Sequence, residues 1–282
     1  MMRRLRFLLA LLGAWPAAGM AAPPLPPMID AHAHYAAPDA AVFSPEAVLA
    51  SLDAAGVRRL VVTSSPPQLA QRLYRHAPGR VIPLLGVYAS DLNKGNWLHD
   101  PGLPARAAAR LQSGAWAGIG ELHLFARDAK QPVFEQLVRL AAARKLVVMI
   151  HGDAEVVERA FAIAPEVRVL WAHLGTLPQP GLLADMLQRY PETLWIDTSV
   201  RDERIAPDGT LLPAWRALFE RHPDRFVVAV DTFSVNRWQH YGEVVAHIRG
   251  WTDALPQPLK GNLLHDNAAR LFDRFQPPAA HP

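Results

Sequence analysis

The chain contains no cysteine. Disulfides, thiolate metal ligands and a lipid-modified N-terminal cysteine are therefore excluded together. A lasting excess of charge of one sign is also missing. The formal net charge is +3, but Arg3, Arg4 and Arg6 all fall in the first 21 residues, which carry no acid. Without them the remainder is near neutral, so the basic isoelectric point belongs to that segment and predicts no nucleic-acid partner. No apolar run is long enough to span a bilayer comfortably; the longest near the start covers 7–15. Preceded by arginines and followed by Ala17-Ala18-Gly19-Met20-Ala21, it forms a secretory signal over 1–21, cleaved near Ala21 or Ala22. An uncleaved anchor is the alternative. The pair Arg3-Arg4 is spaced wrongly from Phe7-Leu8 for a twin-arginine signal. The mature protein is expected in the periplasm or the medium, with no stable membrane association.

What remains is ordinary globular material: half the residues are apolar and a fifth are charged, enough for a large core. Residues 22–27 are a stiff proline-rich lead-in, 28–275 form one domain, and 276–282 form a flexible tail. No linker or repeat divides the domain. Near-continuous apolar runs predict strands at 27–35, 59–63, 81–88, 118–125, 146–151, 167–173, 193–198 and 226–231. Such runs suit a parallel sheet covered on both faces. Helical patterns lie between them. Ser44-Pro45 supplies a cap and a first-turn proline. Phe134, Leu137, Val138 and Ala141 share one face of a helix, and Asp153 caps the helix bearing Val156, Val157, Ala160 and Phe161. Further helices are predicted at 66–76, 104–112, 182–190, 213–222 and 237–250, with a terminal helix at 262–275 packed on the outside. Eight β-then-α units predict a single-domain (β/α)8 TIM barrel, an α/β fold, with an open doubly wound sheet as the alternative.

In such a barrel the chemistry sits where strands end. The first strand, Met28-Ile29-Asp30-Ala31-His32-Ala33-His34, ends in two histidines, and strict alternation would put Asp30, His32 and His34 on one face. Glu121 and His123 end the fourth strand, His151 the fifth, His173 the sixth and Asp231 the eighth. A single one would suit a hydrogen-bonded core histidine or a helix cap. Polar groups at the same end of five strands call for a shared cation, since unpaired buried carboxylates and imidazoles are costly. Carboxylates and imidazoles without sulfur suit Zn, and also Mn, Fe or Ni.

The motifs Asp30-Ala31-His32-Ala33-His34, Ile150-His151-Gly152, Ala172-His173-Leu174-Gly175 and Val230-Asp231-Thr232-Phe233 resemble those of the amidohydrolase superfamily. The closing Asn262-Leu263-Leu264-His265-Asp266-Asn267-Ala268-Ala269-Arg270-Leu271-Phe272 is similar to the end of its amidohydrolase-2 branch. This resemblance implies His32, His34 and Asp231 on a first metal, with His151 and His173 completing the site. None of Lys94, Lys130, Lys145 and Lys260 ends a strand, which disfavours a carbamylated lysine bridge. Glu121 occupies a bridging position and looks like the glutamate of TatD-like hydrolases. Two ions are then expected: His32, His34, Glu121 and Asp231 on one, Glu121, His151 and His173 on the other. With one ion, His173 is free to act on the water.

A divalent ion lowers the pKa of bound water towards about 7 and polarises the substrate oxygen. Asp231 can act as base and then acid; a pure ligand role is its alternative. The expected function is hydrolysis of a carboxylic amide, ester or lactone of a small molecule by metal-bound hydroxide. Alternatives are a TatD-like phosphodiesterase or nuclease, a single-metal decarboxylase, and a catalytically silent metal- or ligand-binding barrel. Candidate substrate contacts are His123, Tyr88, Lys94, Trp97, Arg201, Arg204 and Trp238, the arginines for a carboxylate or phosphate and the tryptophans for an apolar wall. Trp116 and Trp215 are expected to be structural.

Overall fold

The computed structural model describes residues 25–90 and 94–275. The expected signal segment and tail lie outside them, as do residues 22–24 of the lead-in. Eight parallel strands follow one another in chain order around a barrel. They are β1 (Met28–His34), β2 (Val57–Thr63), β3 (Val81–Leu85), β4 (Gly118–His123), β5 (Val147–His151), β6 (Arg168–Trp171), β7 (Leu194–Asp197) and β8 (Phe226–Val227). Helices on the outside cover the sheet, so both of its faces are buried apart from the start of β2, where Arg58 is exposed. Ile29, Ala31, Val61, Ile82, Leu84 and Met149 fill the barrel. Leu60, Val62, Val148, Ile150, Val169 and Ile196 belong to the layer beneath the helices.

The helices form where periodicity places them, although Asp153, expected as a cap, opens Ala154–Ile163 without a side-chain cap bond and accepts from Ala126 and Thr176 instead. The Ser44 hydroxyl accepts from the Ala47 amide at 3.3 Å, opening Pro45–Ala54. Pro132–Ala143 buries Phe134, Leu137, Val138 and Ala141 on one face. The helix expected over 237–250 is divided into Val235–Gln239 and Tyr241–Asp253. At the end of the chain a π turn, Asn262–Asp266, precedes the helix Asn267–Leu271. This segment does not pack on the outside as expected. Ala268, Leu271 and Phe272 join the inner apolar cluster and floor the barrel.

The seam between β8 and β1 decides where the polar groups go. β8 pairs with β7 only through Phe226 and Val227, short of the expected 226–231. Beyond it, the Val228 amide turns to the Leu263 carbonyl at 3.2 Å, and the Ala31 amide donates to the Val228 carbonyl at 3.2 Å. The Val230 amide donates to Asp30 Oδ1 at 3.0 Å, so a buried carboxylate stands in for part of the ladder. The Tyr241 hydroxyl donates to the other oxygen at 3.0 Å. Burial pushes the Asp30 carboxyl up to about 7, against the hydrogen bonds from Val230, His32 and Tyr241.

Asp30 therefore does not share a face with His32 and His34, contrary to strict alternation. On β1, Asp30 lies opposite Leu60 and Ala33 opposite Val62, so three residues advance against two. That β-bulge reverses the parity of the strand and turns both histidines inwards. The same irregularity recurs on β4, where Ile119 faces Val148 and Leu122 faces Ile150. Gly120 sits in it at φ +141°, where a Cβ would lie 2.6 Å from the Met149 carbonyl oxygen. Only glycine fits both the angle and the space. The Thr63 hydroxyl fixes the Gly120 carbonyl at 2.5 Å, and Glu121 and His123 face the axis.

Candidate metal centre

Six side chains from β1, β4, β5 and the segments after β6 and β8 converge at the C-terminal mouth. His32 Nε2 and His34 Nε2 are 3.2 Å apart. His34 Nε2 lies 3.3 Å from both Glu121 Oε2 and Asp231 Oδ1. His32 Nε2 lies 3.8 Å from Glu121 Oε1 and 3.9 Å from Asp231 Oδ1. On the other side, His151 Nδ1 is 2.9 Å and His173 Nε2 3.1 Å from Glu121 Oε1. His173 Nε2 is also 3.8 Å from Asp231 Oδ2. His32, Glu121, His173 and Asp231 are buried, while His123 and His151 are partly exposed, so the site opens at its β4–β5 side.

The turns that follow the strands aim these groups. His173 follows β6 in a left-handed conformation, φ 62°, continued by Leu174 at 57° and Gly175 at 74°. That turn swings His173 inwards, where the expected extension of the strand to 173 would have sent it to the helix layer. Asp231 is likewise left-handed at φ 56°, and its amide donates to the His32 carbonyl at 2.8 Å. Thr232 stitches the same seam: its hydroxyl accepts from the His34 amide at 2.9 Å and donates to the His34 carbonyl at 2.8 Å.

The electrostatics of the cluster call for positive charge. Burial alone would lower His32, but the carboxylates of Asp231, Glu121 and Asp197 outweigh it and hold the imidazole well above its ordinary value. Burial would raise Glu121, yet His123 and His32 hold it well below the usual carboxylate range. His173 is raised, burial being overcome by Glu121 and Asp197. His123 moves the other way because burial dominates, Glu121 opposing and Lys94 and His151 reinforcing the fall. Asp231 Oδ1 is buried without a hydrogen-bond partner. Donor atoms about 3.2–3.7 Å apart are what a tetrahedral ion with ligands at about 2.0–2.3 Å requires. The residues present fit a divalent cation. Three overlapping groups bring their donor atoms within 4.8 Å of one another: His32, His34 and Glu121; His32, His173 and Asp231; and Glu121, His123 and His151.

The family described as Amidohydrolase (Amidohydro_2) matches residues 29–274. The chain belongs to the amidohydrolase family. It is an amidohydrolase-type enzyme on a TIM barrel. No match was found among curated proteins. Solved structures similar in fold include an amidohydrolase from Burkholderia multivorans with bound zinc, with TM-score 0.56 and 14% identity over 87% of this chain and 99% of that one. Another is described as a probable 2-pyrone-4,6-dicarboxylic acid hydrolase from Acinetobacter baumannii with citric acid bound, with TM-score 0.58 and 15% identity over 87% and 99%.

Around the centre of this amidohydrolase, several expected substrate contacts prove to be braces. Tyr88 and Trp97 are buried behind His123, whose amide donates to Tyr88 Oη at 2.8 Å and whose carbonyl accepts from Trp97 Nε1 at 3.0 Å. Trp238, expected as a pocket wall, is sealed behind His34, donating Nε1 to the His34 carbonyl at 2.9 Å. Arg201 donates Nε to the His173 carbonyl at 3.0 Å, and Arg204 is exposed on the short helix Asp202–Ile205. His123 does meet the cluster, with Nε2 2.6 Å from Glu121 Oε2 and its ring stacked on His151 at 4.3 Å. Trp215 is buried, and Trp116, half-buried, donates to the Arg110 carbonyl at 2.9 Å.

Sequence reasoning missed Asp197. It ends β7 fully buried, with Oδ2 3.0 Å from His32 Nδ1. Oδ1 accepts from the His173 amide at 3.0 Å and from the Ser199 hydroxyl at 2.5 Å. Ser199 Oγ in turn lies 2.8 Å from His173 Nδ1. One carboxylate thus fixes two imidazoles on two strands. His32 gives its Nδ1 proton to Asp197, which leaves Nε2 to face the cluster. The signal was available: β7, like the other strands of the set, ends in a polar residue.

Proposed function

We propose that this enzyme cleaves a carboxylic amide, ester or lactone of a small molecule, using two divalent cations, zinc in the first instance. The observation that supports two is Glu121. Its Oε1 faces His151 and His173 at 2.9 and 3.1 Å, while its Oε2 faces His34 at 3.3 Å. A carboxylate whose two oxygens reach histidines of both sets suits a bridge between neighbouring ions. His32, His34, Glu121 and Asp231 would hold one ion, and Glu121, His151 and His173 the other. Bound there, the cations would lower the pKa of water and polarise the scissile carbonyl. The chain supplies the rest. The Asp231 carboxylate, which has a second oxygen beside the one facing His32 and His34, accepts the proton of the attacking water as the water oxygen bonds the carbonyl carbon. The same carboxyl returns the proton to the departing nitrogen or oxygen as the carbon–heteroatom bond breaks. His123, lowered by burial, sits at the open side and orients Glu121. The arginine-bearing segment at 1–21 supports export to the periplasm or the medium.

Elemental analysis of protein purified without chelators or histidine tags tests the ion count. About two equivalents per chain are expected, halved in Glu121→Gln. Asp231→Asn should lower turnover on an ester, lactone and amide panel by about 10²–10⁴-fold. One equivalent untouched by Glu121→Gln would replace the bridge with single-metal hydrolysis or decarboxylation. Faster turnover of phosphodiesters than of carboxylic substrates would overturn the bond class.

A further inference from the structure

The end of the barrel opposite the metal centre carries an excess of positive charge. Arg58 and Arg59 open β2, Arg144 and Lys145 precede β5, and Arg274 follows the helix Asn267–Leu271 at the barrel floor. None of the five has an ion-pair partner among the described residues. The acids at the same end are mostly engaged. Asp53 lies 2.6 Å from Arg80, Asp273 2.6 Å from Arg168 and Asp266 2.8 Å from His265. Glu166, before β6, has no such partner among the described residues. The chain beyond residue 21 is near neutral, so this excess comes from placement and not from composition.

The cations share this end with apolar groups. A groove between the turns before β2 and β3 is lined by Arg58, Arg59 and Arg80. A second, of about 640 Å³, lies between the turns before β4 and β5 and is lined by Trp116, Arg144, Lys145, Arg274 and Phe275. Phe275 links the two, its ring 5.7 Å from that of Tyr74 on the helix that leads to β3. Lys145 holds the place that glycine usually takes after a helix. Its φ is 56°, and the Leu146 amide closes the turn on the Ala141 carbonyl at 2.9 Å. A lysine stands there although the left-handed backbone disfavours it, and it lines the groove. Leu25, 57% exposed, stands at the same end. Arg249 pins the chain beside it, donating Nη1 to the Pro26 carbonyl at 2.9 Å and Nη2 to the Gly56 carbonyl at 3.0 Å. Unpaired cations around an exposed leucine and a half-buried tryptophan suit an anionic surface with an apolar layer beneath it. The apolar stretch 7–15 ends ten residues before Leu25, a reach of at most about 36 Å. A bilayer that receives that stretch would meet this end of the barrel first.

We infer that this end rests reversibly on the anionic surface of a phospholipid bilayer, with the metal centre facing water. Such a contact is held by charge and released by salt, unlike a stable anchor. It is independent of the bond that the enzyme cleaves. Co-sedimentation of residues 22–282, which carry the whole barrel, with lipid vesicles tests it. Vesicles of equal parts phosphatidylglycerol and phosphatidylcholine should pellet the protein, and pure phosphatidylcholine should not. Raising salt from about 0.1 to 1 M shortens the screening length from about 10 to 3 Å and should release it. Lys145→Gly should lower the partition coefficient about fivefold, and together with Arg144→Gln about 30-fold, the worth of one and two basic residues at an anionic surface. Glycine suits the left-handed backbone at 145, so the thermal midpoint should not fall. Arg204→Gln removes the same charge at the mouth and should leave partitioning unchanged. Equal pelleting with both kinds of vesicle, no pelleting with either, or an equal loss in Arg204→Gln and Lys145→Gly would overturn the assignment. Capture by heparin without affinity for phosphatidylglycerol would overturn it too, and would make the partner a soluble polyanion.

Discussion

Asp197 shows how much of a metal centre can depend on a residue that ligates nothing. It accepts from His32 on β1 and from the backbone that positions His173 after β6. In Asp197→Asn the amide NH₂ can occupy the place of Oδ2, forcing the His32 proton onto the nitrogen that should face the cation. Metal affinity, read by competition with a chromophoric chelator, should fall about 10–100-fold. The same residue shapes acid stability of the cation-free protein. Burial would raise its carboxyl, but His32 brings it down to about 2 from 3.8. A depressed carboxylate stabilises above its unfolded value, and that contribution is lost as pH falls through the folded value. About 2 kcal/mol should therefore be present above about pH 4 and fade towards pH 2. Denaturant titrations across that window should show the limb in the parent and not in Asp197→Asn.

At the scale of elements, the site is made by two irregular strands. Without the bulges on β1 and β4, alternation would carry both members of each functional pair, His32 with His34 and Glu121 with His123, to the helix layer. Gly120 allows the second bulge, so Gly120→Ala meets both an unfavourable φ and a Cβ 2.6 Å from the Met149 carbonyl. A loss of about 1–3 kcal/mol in denaturant unfolding is expected, together with loss of the metal that needs Glu121, read by elemental analysis. Normal metal content at reduced stability would mean that the bulge survives the substitution. The seam of β8 and β1 is the complementary case. There a regular ladder gives way to Asp30, Tyr241, Thr232 and the π turn at Leu263, and the freed backbone carries Asp231 to His32.

For the whole molecule, the cluster brings side chains of β1, β4, β5 and the segments after β6 and β8 together at one point. A cation there would add a further tie across the mouth, above the apolar cluster that fills the barrel. Ions present at about a thousand times their dissociation constant should add about 4 kcal/mol to stability. Removing them with excess chelator should lower the calorimetric midpoint by roughly 10 °C for a domain of this size, reversibly on reconstitution. An unchanged midpoint would show that no cation is held by so many strands at once.

The sequence by itself determined the barrel, the order of its strands and six converging side chains. Apolar run length, helix periodicity and polar residues at the ends of five strands are local signals, and a parallel sheet covered on both faces leaves few other ways to bury them. The helices at Gln68–His76 and Leu103–Ser113 were the least legible, since neither opens on a side-chain cap. Only the tertiary structure decided which face Asp30 takes, what Asp197 holds, why Trp238 and Trp97 stand behind histidines, and that Phe272 closes the barrel floor. Each of these depends on register against a neighbouring strand or on a partner far along the chain. A shift of one residue reverses a strand's faces while leaving its composition unchanged, so no periodicity within a strand could have revealed it.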